Sequence, residues 1–305
     1  MDEIDPKTTS LLKYLVANEM DEQWGLTVTT AGYHRIRRVS VYPPTRDHPT
    51  PYYFDHKKGR VLGEFQLVYL TRGKGAFQSK HLGPTRVNEG DMFLLFPGEW
   101  HTYRPDADGW DEYWIGFKGD VADHWVRNRF FSPASPLFYI GIDEGVTDLY
   151  NQAIEAASSE KAGFQQLLAG IVAHLLGTVY SNQRDHQFAD KEIIHKINKA
   201  KAMMQENIFL PLSAEEIARR LNLSYSWFRR TFKEYTGFAP AKYMNELKLQ
   251  KAKAFLVTSD KSIKEISILL LFENVEYFST FFKKATGKTP LQYRVHSTKF
   301  LKSHE

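Results

Sequence analysis

The spacing of hydrophobic and polar positions changes twice along this 305-residue chain. From Glu64 the text reads as strands. Residues 65–70 form a β-rich run that Gly73 and Gly75 are expected to break, and residues 92–96 follow the turn signal Asn88-Glu89-Gly90-Asp91 and stop at Pro97-Gly98. Trp114-Ile115-Gly116-Phe117 is a further short run before Gly119. Short strands between Gly and Pro turns predict an antiparallel sandwich or barrel. Residues 1–60, with Tyr42-Pro43-Pro44, Pro49 and Pro51, show no period and are expected to be an irregular arm.

Near residue 144 the period becomes helical. Val146, Leu149, Tyr150, Ala153 and Ile154 share one face. Past Ser158-Ser159, so do Phe164, Leu167, Leu168, Ile171, Val172, Leu175, Leu176 and Val179. This predicts one long amphipathic helix. Its stripe either covers the sheet or forms a helix–helix contact with a second copy. The polar stretch that follows, residues 182–190, reads as a linker.

The remainder contains a repeat. Ser213-Ala214-Glu215-Glu216 and Ser262-Ile263-Lys264-Glu265 both have the Ser-x-x-Glu form of a capping box, in which the serine receives first-turn amides and the glutamate reaches back to the cap. At the same offset of 49, Ile217 pairs with Ile266, Ala218 with Ser267 and Leu221 with Leu270. After a tight turn, Ser224 and Asn274 are natural N-caps of second helices. There the offset is 50: Phe228 pairs with Phe278, Phe232 with Phe282, Lys233 with Lys283, Gly237 with Gly287, Pro240 with Pro290 and Tyr243 with Tyr293. Cap, short helix, turn, cap and second helix, written twice, is the layout of the helix-turn-helix, whose second helix enters the major groove of double-stranded DNA.

In the first unit Phe228 and Phe232 set the inner face, so Tyr225, Ser226, Arg229, Arg230 and Lys233 fall outside. In the second, Phe278 and Phe282 point in, which leaves Asn274 at the cap and Val275, Glu276, Ser279, Thr280, Lys283 and Lys284 for the groove and the phosphates. The helix begun by Pro240 would join the units and fix both reading helices about one DNA turn apart. Dimers suit bipartite DNA sites, so the stripe before residue 181 is expected to serve as a homodimer contact.

Charge agrees with this division. From residue 191 onward there are 21 Lys/Arg against 11 Asp/Glu, whereas residues 1–190 hold 19 against 25, within a total of +4. The basic part alone fits a polyanion. There is no cysteine, which removes disulfides, thiolate metal sites and cysteine nucleophiles. No apolar run reaches the roughly 18 residues of a bilayer span. The acidic start, Met1-Asp2-Glu3-Ile4-Asp5, is unlike a signal peptide. A cytoplasmic protein without a membrane partner is the expectation.

Residues from Lys191 to about His296 resemble the AraC/XylS family of bacterial transcription regulators. The likeness rests on residues 212–233 and 263–284 and on the ending Gly287-Lys288-Thr289-Pro290-Leu291-Gln292-Tyr293-Arg294. Residues 70–75 and 90–101 look like the cupin-type effector domain of the family's sugar-sensing members. The resemblance implies an α+β chain: a cupin-like β-barrel or jelly roll (1–142), a helical dimerisation segment (143–181), a linker (182–190) and an all-α domain with two helix-turn-helix units (191–297).

It also implies a dimeric regulator of direct-repeat sites controlled by a small effector. The expected role is an activator of a carbohydrate operon that works with RNA polymerase; the alternative is an effectorless barrel that serves dimerisation. Two positions depart from the family. Leu271 stands where the family tends to have glycine, while the first unit has Asn222, and Thr280 stands where many relatives carry arginine.

The implied pocket positions are Tyr103, Glu112 and Trp114, with Arg60 or Lys58 as a donor from the preceding strand and His101 beside them. Aromatic faces and hydrogen-bonding groups together suit a sugar. The residues alone leave Tyr103 and Trp114 open between core and ligand contact, and His101 reads more simply as a structural histidine. A cupin metal site needs His-x-His plus a glutamate. His81 stands alone and His101 has no such partner, so no cofactor or metal is expected. No Ser/His/Asp or paired-carboxylate set suggests an enzyme. The arm over residues 1–60 is expected to close over the pocket.

Overall fold

The computed structural model describes residues 10–37, 57–187 and 191–302. The chain separates into two compact units, residues 1–187 and 188–305. The first contains β1 (Ser10–Tyr14), α1 (Glu19–Gln23), β2 (Thr27–Arg37), β3 (Arg60–Val61), β4 (Phe65–Ser79), β5 (Thr85–Asn88), β6 (Asp91–Leu95), β7 (Trp100–Lys118), α2 (Asp120–Arg127), β8 (Leu137–Tyr139), α3 (Glu144–Ser159) and α4 (Phe164–Gln187). The strands form one antiparallel sheet in the order β1-β2-β7-β4-β6-β8, with β3 added to β7 and β5 to β4.

Three expectations change here. Residues 10–37 are not an irregular arm, because β2 is an interior strand paired on both sides. Both of its faces are covered, so no apolar–polar alternation marks it in the sequence. A deletion through Tyr53, the simple way to test an arm, would remove β1 and β2 themselves. The prolines at 42–51 lie outside the described residues.

β4 and β7 are also long, where short strands were expected. Gly73 and Gly75 lie inside the 15-residue β4, which pairs with the 19-residue β7. Register shifts fall at Leu70/Arg72 and Gly73/Gly75. A Cβ on Gly75 would sit 2.1 Å from the Arg104 carbonyl oxygen, so the glycine permits the close crossing at the bend. Beyond the bend Phe77 and Tyr103 meet Phe93, and Tyr103 meets Trp110, so the sheet curls round a second core.

The third change concerns the helical segment. It is a hairpin, in which α3 ends at Glu160 in the left-handed region (φ 41) and α4 follows after Gly163. Together they cover the outer face of the sheet, where Leu168, Val172, Leu175 and Val179 are fully buried. Each contributes about 1.5–3 kcal/mol of burial. Gln165 stitches α4 to β2: its side chain accepts from Val28 N (2.9 Å) and donates to Val28 O (3.0 Å), beside the β2 register shift. α4 also continues through residues 182–187, where a linker was expected.

The second unit is helical: α5 (Lys191–Glu206), α6 (Ala214–Arg220), α7 (Tyr225–Thr236), α8 (Pro240–Thr258), α9 (Ile263–Leu269), α10 (Val275–Thr286) and α11 (Pro290–Lys302). The repeat in sequence is a repeat in structure. Phe232 meets Tyr243 edge-on at 5.4 Å, and Phe282 meets Tyr293 at 5.3 Å. Each half has its own core, one on α5–α7 with the start of α8, the other on the end of α8 with α9–α11. Arg294 of the closing motif donates to the carbonyls of Leu256 (3.2 Å) and Lys261 (2.6 Å), tying α11 to the end of α8. Among the described residues no helix is long and apolar enough to cross a membrane.

Candidate DNA-reading surfaces and effector site

Ser224 caps α7 by accepting from Trp227 N (3.4 Å), and Asn274 caps α10 by accepting from Tyr277 N (2.7 Å). With Phe228, Phe232, Phe278 and Phe282 fully buried, the opposite faces turn to solvent. On α7, Tyr225, Ser226, Arg229, Arg230 and Lys233 are exposed. On α10, Glu276, Thr280, Lys283 and Lys284 are exposed with Asn274, while Val275 and Ser279 are half-buried.

The two capping boxes are not alike. Glu265 completes its box, accepting from Ser262 N at 2.6 Å. Glu216 does not. It pairs with Arg219 and with Arg220, whose Nε is at 2.7 Å. Hydrogen bonds from Arg220 and Arg219 hold its carboxyl below the usual range, and those from Ser262 do the same for Glu265. Both arginines are exposed, and neither is among the expected DNA contacts. Their counterparts at offset 49 are Ile268 and Leu269.

The turn of the second unit holds Leu271 in the left-handed region, at φ 56; Asn222 has φ 54 in the first. The leucine carbonyl accepts from Lys248 Nζ (3.4 Å), and that ammonium lies 5.2 Å from the Phe272 ring centre. Burial lowers the pKa of Lys248.

The inner side of the curled sheet holds the second candidate site. Side chains alternate, so residues 110–114 divide: Trp110, Glu112 and Trp114 face in, while Asp111 and Tyr113 face the other way. Arg60 on β3 is the hub. It donates to His101 Nε2 (3.3 Å), Gln66 Oε1 (3.2 Å) and the Tyr103 hydroxyl (2.9 Å). Burial, then the neighbouring Arg60 charge, push the His101 pKa down to about 3. A neutral ring with Nε2 accepting from Arg60 leaves Nδ1–H to donate to the Glu99 carbonyl at 3.1 Å.

Glu112 meets His34 of β2 at 3.5 Å, and the His34 ring lies 4.6 Å from Trp114. The indole fits there because β2 has Gly32 beneath it; a Cβ would lie 2.2 Å from Trp114 Cζ2. Thr30, two residues along, buries a hydroxyl with no hydrogen-bond partner among the described residues. Thus Arg60, His101 and Tyr103 form one group and Glu112 and Trp114 another. The Lys58 side chain is exposed, and its carbonyl accepts from Trp100 Nε1 (2.9 Å). His34, Gln66 and Thr30 were missed: two lie in the supposed arm and Gln66 sits inside an apolar run. Among the described residues no three His, Asp or Glu side chains converge in a metal-holding group.

Comparison with known proteins places both units. The AraC-like ligand binding domain family matches residues 38–196, just over half of the chain, and a helix-turn-helix domain family matches residues 217–296. The MmsAB operon regulatory protein of Pseudomonas aeruginosa is 27% identical over 272 residues, covering 85% of this chain and 86% of its own. The raffinose operon transcriptional regulatory protein of Pediococcus pentosaceus is 25% identical, covering 79% and 88%. The lactose operon transcription activator of Staphylococcus xylosus is 24% identical, covering 77% and 85%. With a matching effector-type domain ahead of paired helix-turn-helix units, the chain belongs to the AraC family: it is a DNA-binding transcription regulator and not an enzyme.

Proposed function

We propose that this regulator senses a sugar and, as a homodimer, activates a carbohydrate-utilisation operon. The observation that carries the sugar reading is the polar group inside the curled sheet. Burying Gln66, His101, Glu112 and the Thr30 hydroxyl, with the half-buried Arg60 beside them, in an otherwise apolar interior costs stability. A polyhydroxylated ring can use these donors and acceptors, with Trp114 and Tyr103 against its C–H faces. The names of the raffinose and lactose relatives agree with this class.

DNA is contacted by Tyr225, Ser226, Arg229, Arg230 and Lys233 from α7, and by Asn274, Val275, Glu276, Ser279, Thr280, Lys283 and Lys284 from α10. The homodimer forms through the exposed face of α4, where Leu167 is 59% exposed beside Gly170, His174 and Gly177. RNA polymerase is the further partner, and the cytoplasm the place of action.

A thermal-shift screen of the full chain against pentoses, hexoses and uronic acids tests the effector. A sugar at 100 times its Kd adds about 2.7 kcal/mol to the stability of the unit that binds it. A shift with one sugar, lost in Trp114→Ala and in Arg60→Met, supports the site. No shift with any sugar moves the reading to a barrel that serves dimerisation.

A further inference from the structure

The two helix-turn-helix units share a fold but not a surface, and the difference is concentrated where a reading helix meets DNA. At corresponding positions Arg219 faces Ile268, Arg220 faces Leu269, Ser226 faces Glu276, Arg229 faces Ser279 and Arg230 faces Thr280. The first two turns of α7 thus expose two cations and no anion, whereas those of α10 expose one anion and no cation. The cations of α10 come only in its last turn, Lys283 and Lys284. An exposed carboxylate at the start of a helix that approaches phosphates is repelled by them, unless it receives a donor from a base edge. In the major groove the donor that suits glutamate is the exocyclic amine of cytosine. Thr280, one turn on, presents a methyl group and a hydroxyl, and Val275 a half-buried apolar edge. Both suit the thymine C5-methyl.

We propose that the units divide recognition by base chemistry. α7 reads guanine through Arg229 and Arg230 and supplies much of the phosphate attraction. α10 reads a cytosine through Glu276 with an adjacent thymine through Thr280, and is anchored to the backbone by Lys283 and Lys284. The inference rests on the DNA contacts proposed above and specifies the sequence they select.

The test is selection of bound duplexes from a randomised pool by the full-length protein, repeated with Glu276→Gln, Thr280→Val, Thr280→Ser and the double variant Arg229→Ala/Arg230→Ala. The expected site has a guanine-containing part and a cytosine–thymine part. Glu276→Gln replaces cytosine by adenine at one position with a change of preference of roughly tenfold, since glutamine pairs with adenine as glutamate does with cytosine. The same variant leaves binding to unrelated duplexes unchanged or tighter. Thr280→Val, which keeps the methyl, retains the thymine, and Thr280→Ser loses it. The arginine double variant loses the guanine part, with a loss of affinity for the selected site of roughly tenfold or more. An unchanged selected site for Glu276→Gln, with the arginine variant still impaired, overturns the division while leaving DNA binding by the unit intact. Failure of the wild type to enrich any duplex overturns both.

Discussion

The two helix-turn-helix units are the same fold written twice, and comparing them separates what the fold requires from what each unit does with it. The buried pair Phe228/Phe232 recurs as Phe278/Phe282, and so does the edge-on tyrosine. Even the helix end is repeated: Thr236 donates to the carbonyls of Phe232 and Phe238, and Thr286 to those of Phe282 and Lys288. Buried positions differ in places, as Ala218 and Ser267 do, but the charged differences are on the outside. The glutamate three residues after the cap shows how a small outside change redirects a side chain. With arginines three and four residues ahead, Glu216 turns to them; with Ile268 and Leu269 there instead, Glu265 turns back and closes its box. A capping box is therefore a competition that the sequence motif alone does not settle.

Replacing the core phenylalanines should show how far the two units are equivalent. Phe228→Ala and Phe278→Ala each remove a fully buried ring, and each should cost about 3–5 kcal/mol in urea unfolding. A loss in one near 1 kcal/mol would mean that its core adapts and that the symmetry is superficial. DNA binding should separate them. Arg229→Ala should cost 1–3 kcal/mol of affinity for the selected site, and Ser279→Ala well under 1 kcal/mol, by titration at fixed salt. Equal losses would erase the distinction between α7 and α10.

Leu271→Gly should raise stability by up to about 1 kcal/mol. It relieves a left-handed leucine that costs on the order of 1–2 kcal/mol, set against the entropy of glycine. The side chain is 41% exposed, so little burial is lost. Asn222→Gly should be nearly neutral, since asparagine tolerates that backbone; a fall in Tm for Leu271→Gly would show that the leucine packs usefully. The smallest contrast is at the caps. Ser262→Ala should cost about 1 kcal/mol, and Ser213→Ala less, because only the first loses a reciprocal pair.

The sequence was most informative where structure is local. Caps, the Phe-x-x-x-Phe spacing and the Gly-x-x-Pro endings each act within a turn or two of helix, so α6, α7, α9 and α10 could be read directly. The sheet could not. β2 is covered on both faces by residues far away in the chain, so its β-formers Thr27, Val28, Thr29 and Thr30 come without the apolar–polar alternation that marks a strand. Gly73 and Gly75 look like turn residues, and only their distance to β7 explains them as bends within one strand. The candidate effector site suffered for the same reason. Arg60, His101, Tyr103, Glu112 and Trp114 could be named from β7 and its neighbour, but His34 and Thr30 come from the strand that went unread. The helix hairpin failed at one point: the heptad-like stripe continues in register across residues 160–163, so the pattern concealed the reversal.

The Gln165 stitch has a mechanical consequence. A helix resting on a sheet through leucines and valines can slide by small steps, because such contacts are non-directional. α4 is not free to do so. Moving it along β2 would strip the buried Val28 amide and carbonyl of partners at about 1–3 kcal/mol each. Strand and helix are therefore tied at Gln165, and a tilt of β2, whose inner face carries Thr30, Gly32 and His34, would carry α4 with it.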